Sequence, residues 1–171
     1  QAINTRLDVV NINIYSYYNN DSNHFKEIKN YMGRINSASM ITKMCDSQKR
    51  NNFIILLIKK LMKENRKILI LSDRKKQLTY LNNTIQEDTN GPNGEPFATS
   101  GLYVGGMKNS DLKESEQANI MLGTFAMVSE GFDNPELNTL ILASSKSDIV
   151  QSVGRILRKK PEDRVLTPTI I

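Results

Sequence analysis

The chain has one cysteine, no tryptophan and few aromatic residues, 6% in all. Cys45 alone cannot close an internal disulfide, and together with His24, the only histidine, it is too little for a zinc site or a Cys-His nucleophile pair. It reads as a buried or idle thiol in a reducing compartment. Apolar runs are short: "FIILLI" at 53–58, the longest, falls far below the roughly 20 residues that cross a bilayer. No signal peptide opens the chain, so the expectation is an intracellular protein with no membrane partner. A phosphate loop of the form G-x-x-x-x-G-K-[ST] is missing too, and no glycine-rich loop follows the first strand. The chain therefore lacks the usual cradle of backbone N–H groups for a nucleotide's phosphates.

What is present suffices for one domain, with 39% hydrophobic residues in 171 to build a core. Net charge is +5, and residues 26–76 are rich in Lys and Arg and poor in Asp and Glu. That distribution suits a polyanion, although a solvated lysine-rich surface has the same composition.

Strand and helix patterns alternate along most of the chain. "LDVVNINIY" (8–16) predicts a strand, and His24 to Met32 a helix. Asp46 is a candidate N-cap for a long helix running to about Glu64. "KILILS" (67–72) predicts a strand buried on both faces, with a helix from about Arg74. "QEDTNGPNGEPFATSG" (86–101) reads as a flexible surface loop. The strands "GLYVGG", "NIMLGT", "TLILAS" and "VLTPTII" follow, with helices between them. The pattern predicts an α/β domain, mainly a parallel sheet flanked by helices, in which ligands gather at the C-terminal strand ends. Ser72-Asp73-Arg74, Gly105-Gly106, Gly123-Thr124 and Ser144-Ser145 all fall at such ends.

"QSVGRILR" (151–158) comes next to one of these ends. At about 100° per residue, Gln151, Arg155 and Arg158 project within roughly 60° of one another. Ile149, Val150, Val153, Ile156 and Leu157 fall on the opposite side. The spacing predicts an amphipathic helix whose two arginines share a solvent-facing stripe. That stripe can offer planar guanidinium forks to phosphate oxygens or be an ordinary basic face.

The run "GTFAMVSEGFDNPELNTLILASSKSDIVQSVGRILR" (123–158) resembles motifs V and VI of the superfamily 2 helicases in order, spacing and flanking strands. "KILILSDRKKQL" is similar to motif IV, and "GLYVGGMK" to the strand and glycine turn after it. The nearest likeness is to the DNA-dependent helicases of large DNA viruses, of the poxvirus transcript-release type, which act in transcription. It covers roughly residues 45–171.

The resemblance implies a single C-terminal RecA-like domain over 1–171, with 1–44 an N-terminal extension, from a two-domain motor driven by ATP with Mg²⁺. The N-terminal RecA-like domain, which holds the nucleotide, would be its partner. Arg155 and Arg158 match the motif VI arginines that reach the γ-phosphate, and Gln151 the residue that couples motif VI to the nucleotide. Asp133 matches the acidic residue near the ribose, where Gly131 keeps the turn close. Thr124 matches a phosphate contact to the nucleic acid, and Ser72 with Gly105 or Gly106 would border the strand track. Thr124 and Asp133 stand nine apart, one more than in the DEAD-box RNA-helicase pattern, which favours DNA. If viral, the protein would act in the host cytoplasm and be present in the virion.

The chain begins at Gln1 rather than Met and stops inside an apparent strand, so it is expected to be a piece of a longer enzyme, inactive on its own. A non-catalytic, basic, nucleic-acid-binding α/β module is the alternative, and a doubly wound domain that binds a nucleotide by itself a further one.

Overall fold

The computed structural model describes residues 12–17 and 26–171. Its strands are β1 (Asn13–Ile14), β2 (Ile68–Ser72), β3 (Ser100–Tyr103), β4 (Ile120–Thr124), β5 (Thr139–Leu142) and β6 (Thr169–Ile170). They form one sheet in the order β1-β6-β5-β2-β4-β3, with every pairing parallel. The helices are α1 (Ser37–Cys45), α2 (Gln48–Met62), α3 (Lys75–Glu87), α4 (Asn109–Gln117), α5 (Phe125–Ser129) and α6 (Val150–Gly154). This is the expected α/β class.

Why the central strands read as unbroken apolar runs follows from the pleat, because successive side chains enter opposite faces and both faces are covered. Ile68 and Ile70 of β2 join Ile120, Leu122 and Ile141 under α2 and α3, which supply Ile54, Ile58, Leu78, Leu81 and Ile85. Leu69 and Leu71 point the other way, into a cluster with Met121, Leu140, Phe125, Val128, Phe132 and Ile156. Gly123 in β4 admits this second layer. A Cβ there would lie 2.8 Å from Val128 Cγ2 and 3.2 Å from the Tyr103 carbonyl oxygen.

Several local expectations differ from the structure. Residues 26–32 form no helix. Lys29 and Ile35 instead bridge across a tight turn, and the helix in this region is α1, capped by Asn36, whose side chain accepts from Ser39 N at 3.1 Å. Residues 24 and 25, and the first part of the 8–16 strand, lie outside the described residues. Ser47 rather than Asp46 caps α2, while Asp46 closes α1. The turn-rich stretch after α3 is fastened at its ends. Asp88 pairs with Lys59, Lys59 Nζ lies 5.5 Å from the centre of the Phe97 ring, and Ala98 is buried.

The expected QSVGRILR helix is a single α-helical turn, α6, followed by a 3₁₀ turn over Arg155–Leu157. That change tightens the screw and breaks the predicted stripe. Val150, expected on the packed side, is 79% exposed, and Arg155, expected in solvent, is 7% exposed.

Candidate functional site

The chain after β2 enters α3 on one face of the sheet, and the chain after the adjacent β5 enters α6 on the other. A crevice opens at the C-terminal ends of parallel strands where neighbours part in this way. A cleft of about 310 Å³ lies there, lined by Asp73 after β2, Phe125 and Ala126 after β4, Lys146 and Asp148 after β5, and Gln151 and Arg155. Lys146 spans it, with Nζ 3.5 Å from Asp73 Oδ1 and 5.1 Å from the centre of the Phe125 ring.

The two arginines do different things. Arg155 Nη1 donates to the Phe132 carbonyl, and its guanidinium carbon stands 5.9 Å from the centre of the Phe132 ring. Tyr103 packs on that ring in turn, at 5.5 Å between centroids, and burial with the neighbouring Glu116 pushes the Tyr103 hydroxyl pKa up. Arg155 thus holds the loop after α5 against the 3₁₀ turn while forming part of the cleft wall. Arg158 is half exposed, and its Nε reaches Asp133 Oδ1 at 3.4 Å, with Asp133 more exposed still. A pair of this kind in water is weak and easily exchanged for another anion. Gly131, at φ 118°, makes the turn that sets Phe132 inward and Asp133 outward.

Among the other residues singled out in the sequence, Thr124 caps α5 by accepting from Met127 N at 3.4 Å, which leaves its hydroxyl proton able to donate. Gly105 and Gly106 form an exposed turn after β3. Gln151 is exposed on the cleft rim. Ser72 differs from the expectation of a strand-track residue, because it is 0% exposed. Its hydroxyl donates to Gln77 Oε1 at 2.7 Å and accepts from Arg74 N at 3.0 Å. The α1–α2 junction covers it, with Cys45 Sγ 3.8 Å away. Ser144 is buried too and accepts from Asp73 N at 2.8 Å, tying the turns after β2 and β5 together.

Sequence reasoning missed Lys146 as a cleft residue and Phe132 as the acceptor and stacking partner of Arg155. Only the second had a signal, its place between Gly131 and Asp133. Among the described residues, no group of three or more His, Cys, Asp or Glu could hold a metal ion, and no helix is long and apolar enough to cross a membrane.

Solved structures share this architecture. UvsW of T4 matches over 79% of this chain and 27% of its own, with a TM-score of 0.59 at 18% identity. Domain 2 of the DEAD-box helicase Mss116p, solved with an RNA duplex, matches over 71% of this chain and 49% of its own, with a TM-score of 0.52 at 16% identity. The fold, a parallel sheet flanked by helices with a cleft at its strand ends, is that of a RecA-like α/β domain like these helicase-domain neighbours. In sequence the chain is 40% identical over 148 residues to a protein of Acanthamoeba polyphaga mimivirus provisionally named an ATP-dependent RNA helicase. That match takes in 85% of this chain and 27% of the relative, so the chain spans about a quarter of the viral protein's length. No family model matches the chain.

Proposed function

We propose that this domain is one half of the active site of a viral, ATP-dependent helicase or translocase, acting in the infected cell and carried in the virion. An N-terminal RecA-like domain supplies the other half. The observation that carries this reading is a strand-end cleft lined by Gln151 and Arg155, with Arg155 bonded to the Phe132 carbonyl of the loop whose next residue, Asp133, pairs in water with Arg158.

ATP with Mg²⁺ supplies, when bound between the two domains, the anhydride bond whose hydrolysis powers movement. The donor set here fits one side of such a nucleotide. Arg158 can leave Asp133 for a phosphate, releasing the carboxylate to accept from a ribose hydroxyl, and the Gln151 amide can bond to either partner domain or nucleotide. Arg155, the second arginine of the motif VI match, lines the same cleft and would add a second guanidinium to the phosphate-holding set. The phosphate cradle and the magnesium ligands belong to the partner domain, so this chain alone hydrolyses no ATP and binds it weakly.

Thr124 and the Gly105-Gly106 turn lie at the free strand ends and form part of a strand track, contacting phosphates and not bases. Ser72 stays beneath it as a structural hydroxyl. The nine-residue step from Thr124 to Asp133 favours DNA as the polymer, while the name of the mimivirus relative gives the RNA reading its support. The experiment is ATP turnover by the full-length protein with matched single strands. DNA is expected to stimulate more than RNA, and stimulation by RNA alone reassigns the polymer. Turnover by the isolated domain overturns the half-site reading.

A further inference from the structure

Residues 28–36 fold into a small hairpin that the cleft does not use. Asn36 N donates to the Ile28 carbonyl at 2.8 Å, and Asn30 N to the Arg34 carbonyl at 2.8 Å. The Asn30 side-chain oxygen accepts from Met32 N at 2.9 Å and Arg34 N at 3.0 Å, and the Asn30 carbonyl accepts from Gly33 N at 2.9 Å. The turn is therefore closed and internally satisfied. It displays Tyr31, 91% exposed, with Met32 beside it at 60%. An ordered turn that holds an aromatic ring in water gains no burial from it, whereas a ligand that stacks there binds a platform already in place.

Charge and position indicate which ligand. Lys26, Lys29, Arg34 and Lys43 surround the hairpin in sequence against Glu27 alone between residues 26 and 43. Ile28 N meets Met40 Sδ at 3.2 Å, and Lys43 Nζ bonds to the Lys26 carbonyl at 3.2 Å, so the hairpin sits on α1. The Arg74 guanidinium bonds to the Ala38 carbonyl and Thr42 Oγ1, docking α1 on the turn after β2. Lys75 Nζ continues to the Gly105 carbonyl at 3.3 Å. A groove of about 370 Å³ between Ile28 and Thr42 lies along this route. The hairpin is thus linked through α1 and Arg74 to the turn after β2, from which Lys75 reaches the glycine turn after β3, with Asp46 the acidic residue lining the groove.

We propose that Tyr31 is a stacking platform for a base of single-stranded DNA, with Lys29 and Arg34 on the flanking phosphates. Aromatic faces take any base, and neighbouring cations follow the backbone. The proposal rests on the nucleic-acid reading above.

The test uses the purified full-length protein and a short single-stranded DNA carrying 2-aminopurine, with affinity and probe fluorescence both read. Tyr31→Ala is expected to weaken binding about 5- to 100-fold, the range stacking of one base implies, and to lose the quenching on binding. Tyr31→Phe keeps both. Tyr31→Lys, which adds a charge but no ring, behaves like Tyr31→Ala, and tighter binding by it overturns the proposal. Melting curves of all variants match wild type, since the side chain lies in water. Wild-type binding unaffected by Tyr31→Ala overturns the platform alone and leaves the tip to a protein partner. Failure of the wild type to bind the strand overturns the platform and the DNA-tracking reading together.

Discussion

The ends of β2 and β4 are neighbours in register, with Ser72 opposite Thr124, and each strand closes on a hydroxyl before a helix begins. At β2 the polar groups turn inward. Ser72 bonds to Gln77, Gln77 Nε2 donates to Asn51 Oδ1 at 2.9 Å and the Ala143 carbonyl at 3.3 Å, and Asn51 Nδ2 donates to the Cys45 carbonyl at 2.8 Å. At β4 Thr124 stays half buried, and the polar residues further along the chain, Asp133 after α5 and Gln151 and Arg158 after β5, are exposed. The difference comes from what lies on top. The α1–α2 junction roofs the end of β2, and buried polar groups must then find partners among themselves. The end of β4 adjoins the cleft, and Thr124 there keeps part of its surface in solvent. A hydroxyl at a strand end thus becomes a fastener or a site according to the cover it receives.

The sharpest way to break this comparison is at its open end. Arg158→Ala in the full-length motor should reduce nucleic-acid-stimulated ATP turnover by about 10³–10⁵, the range for an arginine finger, with thermal stability shifted by no more than about 0.5 kcal/mol. Arg158→Lys should recover little, because a point charge lacks the planar fork. Near-normal turnover in Arg158→Ala would make the open end an ordinary basic surface.

The closed end should show the reverse. Gln77→Ala strips partners from Ser72 and Asn51 inside the fold, and is expected to cost about 3 kcal/mol, or roughly 6–12 °C in melting temperature. In the milder Ser72→Ala, strand binding at equal saturation should match wild type. A specific loss of DNA affinity in that variant, with an unchanged melt, would return Ser72 to the track.

Arg155 combines both behaviours, lining the cleft while its guanidinium is captured by the Phe132 carbonyl, which sharpens the contrast. Arg155→Ala should lose turnover as Arg158→Ala does, and in addition lose about 2 kcal/mol of stability by orphaning the Phe132 carbonyl. Denaturant unfolding of the two variants side by side separates them. Equal stability would show that the bond to Phe132 contributes nothing to the fold.

The smallest effect concerns Cys45. Burial raises its thiol pKa, partly offset by the Ser72 hydrogen bond and by Arg50 and Arg74. The folded state therefore holds the proton more tightly than the unfolded chain. The resulting stabilisation is fully present below the ordinary thiol range, about pH 8.5, and is lost as pH rises through the higher folded value. Unfolding free energy should fall more steeply above that pH in wild type than in Cys45→Ala, and parallel curves would show the thiol to be uncoupled.

The parallel sheet was legible in one dimension because β2, β4 and β5 are short apolar runs spaced by helix-length segments, and only a strand covered on both faces is apolar at every position. The resemblance to the helicase motifs named Thr124, Gly131, Asp133, Gln151, Arg155 and Arg158 as candidates, and the structure brings Gln151 and Arg155 of these to the cleft. Exposure was not legible. Helical spacing placed Arg155 and Arg158 on one stripe, but α6 gives way to a 3₁₀ turn at Arg155 and the Phe132 carbonyl captures its guanidinium. Ser72 looked like a surface hydroxyl because its cover, Cys45 and Asn51, lies more than twenty residues earlier in the chain. Residue type and spacing are properties of the chain, so the sequence alone determined the class of fold and which polar residue types follow its strands. Which of those polar groups meets solvent depends on packing between segments distant in sequence, and only the tertiary structure decided it.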